Sequence, residues 1–132
     1  MNLVDAQDSI VDHLSRQVKL EDYIYLLIDR ALSQTKIDHE LQGYVAKAPG
    51  GAWNKICSIS IGVDSTVLEL ITVKNIISRK GYKDRLVFDH CDPKFPDNLV
   101  DLLELAARNA SRAFDIANRR AWDHYLRKIP KF

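Results

Sequence analysis

An α+β fold is predicted, with two N-terminal helices, a three- to four-stranded antiparallel sheet, and a long C-terminal helix packed on one face. Three observations predict it. Residues 1–42 hold neither Gly nor Pro and carry apolar stripes at helical spacing. Residues 55–89 alternate polar and β-branched side chains between Gly-containing turns. Residues 97–129 again lack Gly and Pro, and Leu99, Leu103, Ala106, Ala110, Ala113, Ala117, Ala121 and Tyr125 recur three or four apart.

In order, Leu3, Ala6, Ile10, Leu14 and Val18 predict a first helix over about residues 2–17, with Asp5, Asp8 and Asp12 near its positive end. Tyr23, Ile24, Leu27, Ile28, Ala31 and Leu32 predict a second over about residues 20–34. The stripes fall out of phase near Gln17–Leu20, which places a tight turn or kink there; one long bent helix is the alternative. Residues 35–54, with Gly43, Pro49-Gly50-Gly51 and a closing Trp53, read as a loop. Ile59 and Ile61 alternate with Ser58 and Ser60, Gly62-Val63-Asp64-Ser65 turns the chain, and Thr66–Val73 forms the next strand. Ile76 and Ile77 extend that strand or begin another. Lys80–Asp84 is a turn and Arg85–Asp89 a strand. Such short connections imply antiparallel pairing. Cys91–Pro96 is a loop, Pro96 or Asp97 opens the last helix, and Pro130 stops it.

With 132 residues, 46% hydrophobic and 28% charged, the chain fits a single domain over residues 1–132 that buries a core without disulfide or metal. The net charge of +1 says little about partners, but it is unevenly spread. Residues 1–66 carry six Lys/Arg against nine Asp/Glu, and residues 67–132 thirteen against nine. Cys57 and Cys91 are the only cysteines, which suits a reducing compartment or burial as small hydrophobes. The opening residues show no basic segment followed by an apolar core, and no apolar run approaches a membrane span. Cytoplasmic residence without membrane association is therefore expected.

Several chemistries lack their sequence signatures. There is no Gly-x-Gly-x-x-Gly, no P-loop after Pro49-Gly50-Gly51-Ala52 and no Gly-x-Ser-x-Gly elbow, so no cofactor is expected. Glu21 and Asp22 are adjacent and Asp101 and Glu104 lie one helical turn apart, in neither case with an evident apolar pocket to raise a pKa. Asp89-His90-Cys91-Asp92 is the densest cluster of ligand types, but four consecutive residues do not all face one ion. A metal site would need Cys57, His39 or His124 as well, whereas a capped turn at a strand end needs nothing more.

The same segment resembles the HNH nuclease motif. Arg85–His90 would supply the strand with its Asp-His pair, Asn98 the loop residue, and Asp97 onward the helix. That resemblance implies His90 as the general base and Asp89 as a metal ligand. The family's final ligand lies about two and a half turns after the Asn, where this chain has Ala106-Ala107.

The C-terminal helix carries the clearest hint of function. From Leu105 onward, Arg108, Arg112, Arg119, Arg120, Arg127, Lys128 and Lys131 stand against Asp115 and Asp123. Trp122 and Tyr125 interleave with them. Arg112, Arg119, Arg120, Trp122 and Arg127 are the expected partner contacts, since Arg and Trp concentrate binding energy. Alternatively, the arginines pair with Asp115 and Asp123 and the aromatics pack on the N-terminal helices. The run Tyr23–Ile28 covers every face of a helix and so needs burial on more than one side, by the rest of the domain or by a second subunit in a homodimer. The expectation is a non-enzymatic interaction module, such as a small adaptor, inhibitor or immunity-type protein, that occludes or bridges a protein partner. Nucleic-acid binding through the same helix and an HNH-like nuclease centred on Asp89-His90 are the alternatives.

Overall fold

The computed structural model describes residues 3–30 and 39–128. Helix α1 (Leu3–Leu14) leads into a six-stranded antiparallel meander: β1 (Arg16–Glu21), β2 (Ile24–Arg30), β3 (Glu40–Ala46), β4 (Asn54–Ile61), β5 (Ser65–Ile71) and β6 (Lys83–Asp89). A short helix α2 (Val73–Ile77) separates β5 from β6, and helix α3 (Asp97–Lys128) ends the described chain. Spatial order equals chain order, so β1 and β6 are the two edges.

One face of the sheet forms the core. Leu26 and Ile28 of β2, Leu41 and Val45 of β3, Ile59 of β4 and Leu68 of β5 are buried there with Val11 and Leu14 of α1 and Leu99 and Leu103 of α3. At roughly 2 kcal/mol for each fully buried aliphatic side chain, this layer is the main source of stability. Gly43 of β3 lies opposite Cys57 of β4, where a slip in register makes Ile56 an extra residue. A Cβ on Gly43 would overlap Cys57 Sγ, so this close approach requires glycine.

The α+β class and the long C-terminal helix are present, but the predicted details change in four places. The first helix ends at Leu14, where Ser15 N–H closes on Val11 O at 2.9 Å, and Arg16–Glu21 is strand. The predicted second helix over residues 20–34 is the end of β1, a turn and β2; its residues 31–34 lie outside the described residues. A run of six apolar residues fits helix and strand alike. Its Tyr and Ile content favours strand, and Ile24, Leu26 and Ile28 face the core with period two. Burial on both sides is met by one buried and one half-buried sheet face, not by a helix wrapped all round. Tyr23 takes the turn with φ +66°.

The predicted loop 35–54 contains β3, so the sheet has six strands rather than three to four; residues 35–38 lie outside the described residues. Ile76 and Ile77 belong to α2, not to a strand. Thr72 caps that helix by accepting from Asn75 N–H at 3.4 Å, and Arg79 with φ +57° turns the chain out of it. The turn at Gly62–Asp64, the loop Cys91–Pro96 and the start of α3 at Asp97 stand as predicted. The predicted end of α3 at Pro130 lies outside the described residues.

Candidate interaction surface on the C-terminal helix

Helix α3 is longer than the sheet it packs on. Its described residues, Asp97–Lys128, rise about 48 Å, whereas a seven-residue strand spans about 23 Å. Packing begins at the N-terminus, where His13 Nε2 meets Asp97 Oδ1 at 3.1 Å. Leu99, Val100, Leu103, Ala107, Ala110, Ala113 and Ala117 are its buried apolar residues. The alanines let the backbone lie close to the sheet, and Ala117 is the last of them.

From Asn118 to Lys128 only Ala121 is even half-buried. These three turns form an arm that overhangs the sheet. Trp122 and Tyr125 are 59% and 56% exposed, and their rings stack at 5.5 Å with 30° between planes. Trp122 lies three residues from both Arg119 and Tyr125 and four from Leu126, so these side chains neighbour it along the helix. Arg119, Arg120, Arg127 and Lys128 lie on the same three turns, with Asp123 as the one carboxylate among them; by helical spacing Arg119 and Lys128 flank the rings, whereas Arg120 and Arg127 lie on the other side of the helix. The arm thus combines polarizable rings with planar cations in a solvated setting, a composition that favours contact with carboxylate-rich surfaces.

The five expected contact residues divide into two groups. Arg112 lies on the packed part of the helix and reaches both oxygens of Glu21, at 3.2 and 3.0 Å, while Arg108 Nε reaches Glu21 at 3.1 Å. Arg119, Arg120, Trp122 and Arg127 lie on the arm. Among the described residues no ion pair joins these arginines to Asp115 or Asp123, and Asp115 instead pairs with Lys47 at 2.6 Å. Glu21 is the acidic residue that pins the helix to the end of β1. Nothing local announces that role, since Glu21 is 91 residues from Arg112 in the chain. Such exposed pairs fix position more than they add stability.

The Asp89–Asp92 cluster is built as a structural latch. His90 N–H donates to Asp64 O at 2.9 Å. Its Nδ1 lies 3.0 Å from Val63 O, an acceptor, so Nδ1 carries the proton in the neutral ring. Its Nε2 then accepts from the buried Thr66 hydroxyl at 2.7 Å. The ring stacks on Phe95 at 4.8 Å. Asp89 Oδ1 accepts Cys91 N–H and Asp92 Oδ1 accepts Lys94 N–H. The general base implied by the HNH resemblance therefore has both ring nitrogens occupied. Among the described residues, no three of His, Cys, Asp and Glu converge as a metal-holding group. Cys57 is buried in the core and Cys91 is exposed. Burial pushes the Cys57 thiol up to about 12, against smaller opposing effects of the Gly43 backbone, Lys83 and Lys55.

No described helix is long and apolar enough to cross a membrane. Searches of family models, curated proteins and solved structures find no match to this chain.

Proposed function

We propose that this chain is a non-enzymatic binding module that holds an acidic protein partner against the overhanging arm of α3. The observation that carries the reading is the exposed Trp122–Tyr125 stack on an arm that also bears Arg119, Arg120, Arg127 and Lys128, made of residues that bury almost nothing within the domain. Large exposed aromatics beside arginine match the composition of binding hot spots. Arg112, held by Glu21, extends the cationic surface toward the body of the domain. Occupation of this arm would occlude the partner's acidic face, as an adaptor or inhibitor does.

The test compares the immobilised wild-type chain with R119E/R120E and W122A on nuclease-treated extract. A protein retained by wild type and lost from both variants supports the reading. Equal retention by all three overturns it. Capture that disappears after nuclease treatment, together with a duplex gel shift whose affinity falls steeply with salt, assigns the arm to nucleic acid instead.

A further inference from the structure

We infer that β6 is a self-complementary edge through which two copies of this chain pair antiparallel, joining their sheets into one. This pairing draws on the backbone and side chains of β6 alone and stands independently of the arm. The two edges of the sheet differ. At β1 the register shifts between Lys19 and Glu21, Lys19 pairs with Asp22 at 3.0 Å, and Glu21 is held by Arg108 and Arg112. Irregularity and ion pairs blunt that edge. The strand β6 pairs with β5 without a register shift over its whole length, and it exposes apolar side chains on both faces: Leu86 at 39% and Val87 at 61%.

The backbone phase follows from one bond. His90 N–H donates to Asp64 O, and these residues continue the β5–β6 register in which Ser65 faces Asp89. Even-numbered residues of β6 therefore direct their N–H and C=O groups to β5, and Lys83, Arg85, Val87 and Asp89 direct theirs outward. A two-fold axis at Leu86 sets Lys83 opposite Asp89 of the second copy and Arg85 opposite its Val87. Both pairs fall at hydrogen-bonding positions, so about six new backbone hydrogen bonds form. Asp89 C=O already accepts Asp92 N–H, which leaves its own N–H as the group offered. Leu86 meets Leu86 across the axis on the core side. Each Lys83–Asp89 pair joins opposite charges at adjacent strand positions. Displacing the axis by half a residue toward Val87 sets Asp84 opposite Asp89, and a parallel arrangement sets Lys83 against Lys83; both juxtapose like charges. The charge order of Lys83-Asp84-Arg85-Leu86-Val87-Phe88-Asp89 thus admits an antiparallel copy about Leu86 and disfavours these two alternatives, while an axis at Val87, which opposes Arg85 to Asp89, forgoes both Lys83–Asp89 contacts.

Sedimentation of the full chain tests this. The wild-type mass is expected to rise from 15.1 kDa toward twice that value as concentration increases into the range of about 100 µM. K83E and D89K, each placing like charges across the axis, are expected to stay at 15.1 kDa alone and to associate when mixed, because the mixed pair restores both charge contacts. V87P removes an outward N–H that β5 does not use and is expected to be monomeric. If V87P loses its circular-dichroism spectrum, the exposed K83E variant and the mixing experiment still decide. A wild-type chain that remains at 15.1 kDa throughout overturns the inference. So does a dimer that K83E leaves intact, a mixture that fails to associate, or a dimer abolished by W122A and not by K83E.

Discussion

The contact between Gly43 and Cys57 makes a sharp prediction for a double-mutant cycle. The two residues are register partners on β3 and β4. A methyl group at Gly43 would overlap Cys57 Sγ, while the next neighbour, Ile56 Cγ1, sits at an ordinary 3.8 Å. The clash therefore comes from one atom. Gly43→Ala should destabilise by about 1–2 kcal/mol, the overpacking cost of about 1–3 less the gain of under about 1 from replacing a strand glycine. Cys57→Ala should cost about 1 kcal/mol for the lost sulfur and the small cavity it leaves. In the double variant the new methyl occupies the space the sulfur vacated, so the total loss should be under about 1 kcal/mol instead of the roughly 2–3 that independent effects would give. Urea unfolding of all four proteins, followed by tryptophan fluorescence and circular dichroism, measures the cycle. Additive losses would refute the placement of these two side chains on one face, and with it the bulge at Ile56.

Four further outcomes follow from the same structure. The folded thiol of Cys57 is held near 12 against an ordinary 9.0, so between those values the unfolded chain has lost a proton that the folded chain keeps. Stability is then unpenalised below about pH 9 and falls as pH rises toward 12, by up to about 1.4 kcal/mol per pH unit, and the slope of Cys57→Ala should be shallower in denaturant titrations across that window. Ellman's reagent should accordingly find Cys91 alone in the native chain and both cysteines after unfolding. His90→Ala should cost about 2 kcal/mol, because it strips the buried Thr66 hydroxyl of its partner; a change under about 0.5 kcal/mol in urea unfolding would show that the latch is idle. A chain ending at Asn118 should unfold within about 1 kcal/mol of the full-length protein, since the residues removed bury little.

The parts of the fold that were legible in the sequence are those with a single consistent period. Leu99 to Ala117 repeats at helical spacing and nothing else, and Ser58–Ile61 alternates cleanly. Ile24–Ile28 satisfies both periods, and the choice between them is made by pairing with β1 and β3, which no local window contains. The strand β3 is hidden for a related reason: its core positions, Leu41, Gly43 and Val45, include a glycine, and glycine signals a turn until Cys57 is known to lie opposite. The five expected contact residues are chosen by residue type and place on the helix. Which of them the fold itself would engage depended on Glu21, a residue brought to Arg112 only by the sheet.

The arm's charges have two physical origins, and the distinction decides which variants are informative. Arg127 and Lys128 lie in the last described turn of α3, where cations oppose the negative end of the helix dipole and stabilise the helix itself. Arg119 and Arg120 lie two turns earlier, outside the reach of that effect, and among the described residues the ion pairs of α3 engage neither of them. Reversing Arg127 therefore perturbs helix end and surface together, whereas R119E/R120E alters the surface alone. Isolated helices of three turns are marginal in water, but this arm continues a segment already fixed by packing from Leu99 to Ala117, so it adds turns without a new nucleus. Its rings and cations are consequently presented in one geometry before any partner arrives, and association need not meet the full ordering cost of a flexible tail. If helix content of the chain ending at Asn118 falls by less than these three turns supply, the arm is frayed in solution and that preorganisation is absent.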